Sequence, residues 1–220
     1  MEVTWLGHAC FRLRGRETTV ITDPPRPALG YSLSRLAADV VTLSHDHPGH
    51  NYGDICGEGC RVISGPGDYE VAGVFITGVQ TYHDADQGKA RGKNVIYAIS
   101  LEEVTICHVG DLGHALTSQT IEAIGNVDVL LAPVGGHSTI GAAQAAELVA
   151  ALQPKIVIPM HYRTSAEHTA ALDPVERFLK EMGRAEGTAQ PRLSVTKSSL
   201  PGETQVVVLE PVGNRGGGGR

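Results

Sequence analysis

Ser44-His45-Asp46-His47-Pro48-Gly49-His50 packs three imidazoles into six residues. It follows directly on Val40-Val41-Thr42-Leu43, a compact apolar run with the character of a buried strand. Two histidines separated by one residue in an extended loop can curve onto one ion. Pro48 favours a helical turn beginning after His47. On such a turn His47 and His50, three apart, are neighbours on one face. Imidazole suits zinc, iron or nickel better than magnesium. The stretch therefore reads as a buried strand delivering a metal-binding loop.

Three further segments share this form, an apolar run ending in a polar ligand. They are Thr81-Tyr82-His83-Asp84, Cys107-His108-Val109-Gly110-Asp111 and Ile156-Val157-Ile158-Pro159-Met160-His161. Loops at strand ends are the usual place for functional residues. Gly110 lets the backbone bend so that the Asp111 carboxylate can turn back to a sheet edge. A carboxylate can also bridge two cations, which an imidazole does not normally do. Taken singly, each of the three is also compatible with an ordinary turn or a packed histidine.

Around these points the chain reads as a β-rich first half and an αβ second half. Strands are expected at 2–5, 10–14, 18–22, 40–43, 61–64, 69–71, 74–82, 94–101 and 104–109, with hairpin turns at Gly73 and Glu102-Glu103. A short helix is expected at 33–38. From 117 onward helices at 118–124, 140–152 and 174–182 alternate with strands at 127–133 and 155–160. Asp173 is the expected N-cap of the last helix, with Pro174 in its first turn. Short strands close the pattern at 192–196 and 206–209. Two sheets covered by helices, an α/β protein of the four-layered αβ/βα sandwich type, account for this order. Residues 1–212 are expected to form one unit, and the glycine-rich 213–220 a disordered tail.

The composition narrows the function. A net charge of −6 with 41% hydrophobic residues suits a soluble protein without a broad basic footprint, so nucleic acid is a disfavoured partner. The apolar runs are too short to span a bilayer. The first residues lack a basic region and an apolar core, so a cytoplasmic location is expected. Of the four cysteines, Cys10 and Cys107 read as small buried hydrophobes. Cys56 and Cys60 are expected as reduced thiols in a loop. The polar segment carrying Lys89, Arg91 and Lys93 could meet an anionic group, although a solvated charged loop is the simpler reading. His168 reads as solvated, and Asp23 as a loop cap or an orienting partner of His45.

Together these elements resemble the metallo-β-lactamase superfamily. More narrowly, they resemble the branch that includes ascorbate-phosphate lactonases and N-acyl-phosphatidylethanolamine phospholipase D. The likeness also rests on Trp5-Leu6-Gly7-His8-Ala9, Thr22-Asp23-Pro24, Pro133-Val134-Gly135-Gly136 and Ile158-Pro159-Met160-His161-Tyr162, and runs from about residue 3 to residue 163. It implies a metal-dependent hydrolase acting on a small anionic ester, a phosphodiester or a lactone. One or two divalent cations would be its cofactors, zinc first, with manganese, iron or nickel as alternatives. A nuclease of the same fold and a non-catalytic metal-binding protein are the competing readings. Carried over residue by residue, His45, His47 and His83 would hold one cation, and His50 and His161 a second, with Asp111 bridging. Asp111 would also orient the nucleophile, and His137 would stabilise developing charge. The resemblance places His8 close to the site without giving it a role, and His108 or His114, near Asp111 in sequence, could orient it.

One position departs from the family pattern, which has an aspartate just before the third histidine of the motif. Here that residue is Gly49. The second cation is therefore expected to bind more weakly or with different coordination, and Gly49→Asp to tighten it where the backbone accepts a side chain. Asp46 and Asp54 are the nearest substitutes, but Asp46 lies between two ligands and should point away from them.

Overall fold

In a computed structural model, residues 1–31, 33, 37–184 and 187–212 are described. The expected helix at 33–38 and the tail at 213–220 lie largely or wholly outside them. The first half supplies strands β1 (Glu2–Gly7), β2 (Cys10–Arg14), β3 (Thr19–Thr22), β4 (Val40–Thr42) and β5 (Arg61–Ile63). A meander follows: β6 (Gly67–Val71), β7 (Val74–Tyr82), β8 (Lys93–Leu101) and β9 (Val104–His108). The second half runs α1 (Ser118–Ile124), β10 (Val129–Pro133), α2 (Ala142–Leu152), β11 (Ile156–Met160), α3 (Val175–Glu181), β12 (Leu193–Ser194) and β13 (Gln205–Val206).

These strands form two sheets, ordered β12-β1-β2-β3-β4-β5 and β13-β11-β10-β9-β8-β7-β6. The period-2 alternation of strands explains how one sheet faces two layers. In β3 and β4, Val20 and Val40 point into the main core between the sheets. Ile21 and Val41 point outward into a second cluster with Leu6, Cys10, Tyr31 and Leu33. Leu29 and Ile55, from two short 3-10 turns, pack on that outer cluster. The α-helices cover the other sheet: α1 lies on β7 and β8, and α2 on β10 and against α3. The two sheets are thus flanked by helical layers, as the sequence pattern implies.

The hairpins fall where expected. Ala72 and Gly73, and Glu102 and Glu103, all have positive φ, the backbone that tight two-residue turns require. The N-cap of α3 differs from the expectation. Pro174 holds that position without a side-chain cap, and Asp173 instead pairs with Arg177 at 2.7 Å. The loop cysteines differ too, since Cys56 and Cys60 form a disulfide. No described helix is long and apolar enough to cross a membrane.

The strand directions position the site. β1 and β3 both run antiparallel to β2, and β4 is parallel to β3, so β1, β3 and β4 end at one edge of their sheet. β7 and β9 both run antiparallel to β8, and β9, β10 and β11 are parallel, so these four also end at one edge. His8, Asp23 and Ser44–His50 follow the first set. His83, Asp111, His137 and His161 follow the second.

Candidate metal centre

The loop after β4 makes one hydrogen-bonded turn, His50 N–H to His47 O at 2.8 Å, as Pro48 suggests. It brings His50 inward, fully buried, while His47 stays exposed. Asp111, also buried, is the convergence point. Its Oδ2 lies 3.2 Å from His50 Nε2, 3.3 Å from His83 Nε2, 3.4 Å from His161 Nε2 and 3.9 Å from His45 Nε2. His47 joins through His45 and His50, with one donor nitrogen of each of the three within 4.8 Å of the others. All six expected ligands therefore lie in one cluster.

Behind the ligands, Asp23 is fully buried and ties the first-sheet half together. Its Oδ1 accepts the Ser44 N–H at 2.7 Å, and its Oδ2 accepts His50 Nδ1–H at 2.9 Å and the Ser44 hydroxyl. With its proton committed to Asp23, Ser44 Oγ accepts from His45 Nδ1 at 2.9 Å. Both Nδ1 atoms are thereby engaged, so each imidazole presents its Nε2 towards Asp111. Carboxylate-to-histidine contacts of this kind are the usual way a metal-binding imidazole is oriented. Asp23 thus orients His50 directly and His45 through Ser44.

On the other sheet the orienting group is Asn94, buried at the start of β8. Its Oδ1 accepts the Asp111 N–H at 3.0 Å, and its Nδ2 donates to Thr81 Oγ1 and Val109 O. Neither candidate from the sequence takes this role. His108 contacts Ala9 O at 2.8 Å and accepts the Gly110 N–H. His114 accepts the Tyr82 N–H and contacts Ala115 O. Gly110 has φ +58, and a Cβ there would stand 2.6 Å from the Ser44 side chain, so glycine is required where the two halves meet.

The electrostatics follow from burial and the two carboxylates. Burial pushes the imidazoles of His8, His45 and His161 down, His45 to about 3, which keeps them in the neutral form that ligates metals. Burial would also lower His50, but Asp111 and Asp23 flank it and hold it up, at about 10. Burial opposes ionisation of Asp111 as well, yet His161, His50 and His83 hold its carboxyl well below the usual range.

The residues fit divalent cations. Buried Nε2 atoms of His45 and His50 and the buried Asp111 Oδ1 have no hydrogen-bond partner. Such groups are costly to bury unsatisfied. One carboxylate oxygen facing four imidazole nitrogens satisfies them poorly by proton sharing and well through bound cations. Site residues also carry backbone strain, with positive φ at His8 (55°), Asp23 (40°), His137 (63°) and His161 (50°). Non-glycine residues persist there only where the surroundings over-determine them.

The cluster forms the floor of a cleft of about 460 Å³. Arg91, His137 and Ser138 give it polar walls, and Leu29, Ala171 and Leu172 an apolar one. The Arg91 loop is clasped by Asp84, whose carboxylate accepts the N–H groups of Asp86, Gly88, Ala90 and Arg91. Lys89 is paired with Asp86, whereas the Arg91 side chain lines the cleft. His168 is not merely solvated. Its Nε2 lies 2.8 Å from Tyr31 Oη, and its ring faces His8 across 5.7 Å at the cleft wall.

Two sheets flanked by helices, with histidines and an aspartate at converging strand ends, define a metallo-β-lactamase fold. The profile of the Beta-lactamase superfamily domain matches residues 2–161, and the chain belongs to that superfamily of metal-dependent hydrolases. Among its relatives, the UPF0173 metal-dependent hydrolase of Methanopyrus kandleri is 30% identical, covering 96% of this chain and 97% of its own. That of Thermococcus onnurineus is 32% identical over 83% of this chain and 92% of its own. A Thermotoga maritima protein assigned to the Zn-dependent hydrolases of the metallo-β-lactamase superfamily superposes with a TM-score of 0.79 at 41% identity. It covers 94% of this chain and 97% of its own.

Proposed function

We propose that the protein hydrolyses a small anionic ester, a phosphodiester or a lactone, using water activated by one or two divalent cations, with zinc as the leading candidate. The observation that carries this reading is the convergence of four imidazoles on Asp111 Oδ2 at the floor of an open cleft. In the family's order, His45, His47 and His83 would hold one cation and His50 and His161 the other, with Asp111 available to both. A bound divalent cation supplies a hydroxide nucleophile near neutral pH by lowering the pKa of its water to about 7, and polarises the oxygen under attack.

The chain's own residues do the rest. Asp111 accepts a hydrogen bond from the attacking water and orients it. His137, exposed on the cleft wall, donates to the oxygen on which charge develops. Arg91 holds the anionic end of the substrate, and Leu29, Ala171 and Leu172 pack against its carbon skeleton.

A panel of small phosphodiesters, phosphorylated and neutral lactones and oligonucleotides, assayed with the metal-free and Zn-, Mn- or Ni-loaded protein, tests the reading. Metal-dependent turnover is expected for the small anionic substrates. Arg91→Ala should raise KM for these about tenfold, a loss of one charge-assisted contact, and leave neutral lactones unchanged. Cleavage confined to oligonucleotides would make it a nuclease, and no turnover by a metal-loaded protein would make it a binding protein.

A further inference from the structure

We propose that His8 is a ligand of the second cation, its Nε2 standing where a carboxylate at residue 49 would bind. This rests on the cation-binding reading above and names a ligand which that reading does not include.

The geometry at Gly49 is the starting point. A Cβ built on Gly49 would lie 2.8 Å from His8 Nε2 and 3.2 Å from His47 Nδ1. Real Cβ atoms essentially never approach a heavy atom as closely as the first of these. The space that an aspartate side chain needs is therefore filled by the His8 imidazole. The Gly49 backbone does not have positive φ, so conformation does not demand glycine there. What crowds a side chain there is the neighbouring ring.

His8 is also held as a ligand would be. It follows β1 at φ 55°, after Gly7 at φ 106° and a register shift between Trp5 and Gly7 that turns the chain. Its carbonyl accepts the Trp5 indole N–H at 3.0 Å and the His161 N–H at 3.1 Å, so its backbone is locked to that of another ligand. The ring lies 4.3 Å from that of His161 and 4.8 Å from that of His50, centre to centre. One donor nitrogen of each of the three lies within 4.8 Å of the others. Small side-chain rotations would bring them to the spacing of about 3.4 Å expected for tetrahedral ligands at ordinary Zn–N distances. His8 is buried, and its Nε2 makes no hydrogen bond among the described residues. Three imidazoles packed together, two of them against the one Asp111 carboxylate, are a poor structural arrangement and a good cation site.

Asp46 does not compete for this place. It is exposed, and its Oδ1 accepts from Asn51 Nδ2 at 2.5 Å. The consequence is a site of unchanged ligand number but with one fewer negative charge than the family pattern. It also reverses the expectation for Gly49→Asp, because the new side chain would collide with His8 rather than tighten the site.

The test is zinc titration of the chelator-stripped protein against a competing chromophoric chelator, with zinc X-ray absorption to count imidazoles. Unaltered protein should take up two ions. His8→Ala should keep the first and weaken the second at least tenfold, the lower end of what even outer-sphere changes cost. Gly49→Asp alone should not tighten the second ion, and His8→Ala with Gly49→Asp should recover it to within about threefold, since a carboxylate then has room. His8→Asn, better suited to positive φ and too short to reach, serves if the alanine variant misfolds by circular dichroism. Two ions with unaltered affinity and unaltered imidazole count in a folded His8 variant would overturn the proposal and leave the metal reading intact. No uptake by the unaltered protein would overturn both.

Discussion

His50 and His161 stand at nearly equal distances from Asp111 Oδ2, 3.2 and 3.4 Å, but they are held in place by different means. On the first-sheet edge, His50 Nδ1 donates to buried Asp23, which also fixes His45 through Ser44. On the second-sheet edge, Nδ1 of both His83 and His161 is buried with no such partner. His161 is placed by its backbone instead. Its N–H donates to His8 O, its carbonyl accepts the Gly135 N–H at 3.1 Å, and its φ is 50°. The imidazoles of His50 and His45 are thus oriented by side-chain hydrogen bonds, and that of His161 by its strand end and backbone. The two halves should therefore respond differently to substitution.

The largest effect is expected where the halves meet. Asp111→Asn removes the one anionic group shared by the cluster. Hydrolytic activity should fall on the order of a thousandfold or more, with bound zinc reduced by at least one ion. Elemental analysis and turnover of a responsive ester check this, and full metal content would remove Asp111 from the ligand set. Asp23→Asn should come next. It keeps the shape but disturbs the tautomers of His50 and His45, and zinc affinity should fall about 10–100-fold. Unchanged affinity in the titration would show that the side-chain network does not order the first-sheet half. Asn94→Ala is smaller again, because it acts through the Asp111 backbone. It leaves the Asp111 N–H and Val109 O short of a buried partner, which should cost about 1–3 kcal/mol of stability. Denaturant unfolding measures that cost, and a loss below about 0.5 kcal/mol would indicate that water replaces the amide.

The same contrast explains what the sequence reveals. His83, Asp111 and His161 each terminate an apolar run, and a period of two is enough to place a strand end at a sheet edge. His45, His47 and His50 announce themselves by spacing. Asn94 supports Asp111, and Asp23 supports His50 and Ser44, through contacts between segments far apart in sequence; the sequence offers Asp23 only as a loop cap or a partner of His45, and no local pattern marks the role of Asn94. Asn94 leaves only a faint signal, a polar residue opening an otherwise apolar strand. His8 carries a turn signal in Gly7, but its distance from His161 is 153 positions along the chain and one hydrogen bond in space. The 3-10 turns over the first sheet depend on tertiary packing for the same reason.

The smallest expected effect concerns the disulfide Cys56–Cys60, which lies beyond the metal loop on the first-sheet side. If Asp23 is what orders that half, the crosslink is dispensable to the site. The loop it closes spans four positions, so the chain entropy it removes from the unfolded state is small, about 2 kcal/mol at most. The sulfurs also pack, partly buried, on the outer cluster of Ile21 and Val41, and serine at both positions would lose a little of that contact. A Cys56→Ser/Cys60→Ser variant should therefore unfold at a slightly lower temperature. Its zinc affinity should stay within about twofold of the unaltered protein, because the hydrogen bonds that tie Asp23, Ser44, His45 and His50 together involve neither cysteine. Thermal unfolding and zinc titration on the same preparation read the two quantities separately. A tenfold loss of zinc affinity with little change in unfolding would show that the crosslinked loop, and not Asp23 alone, holds the His45–His50 turn in place.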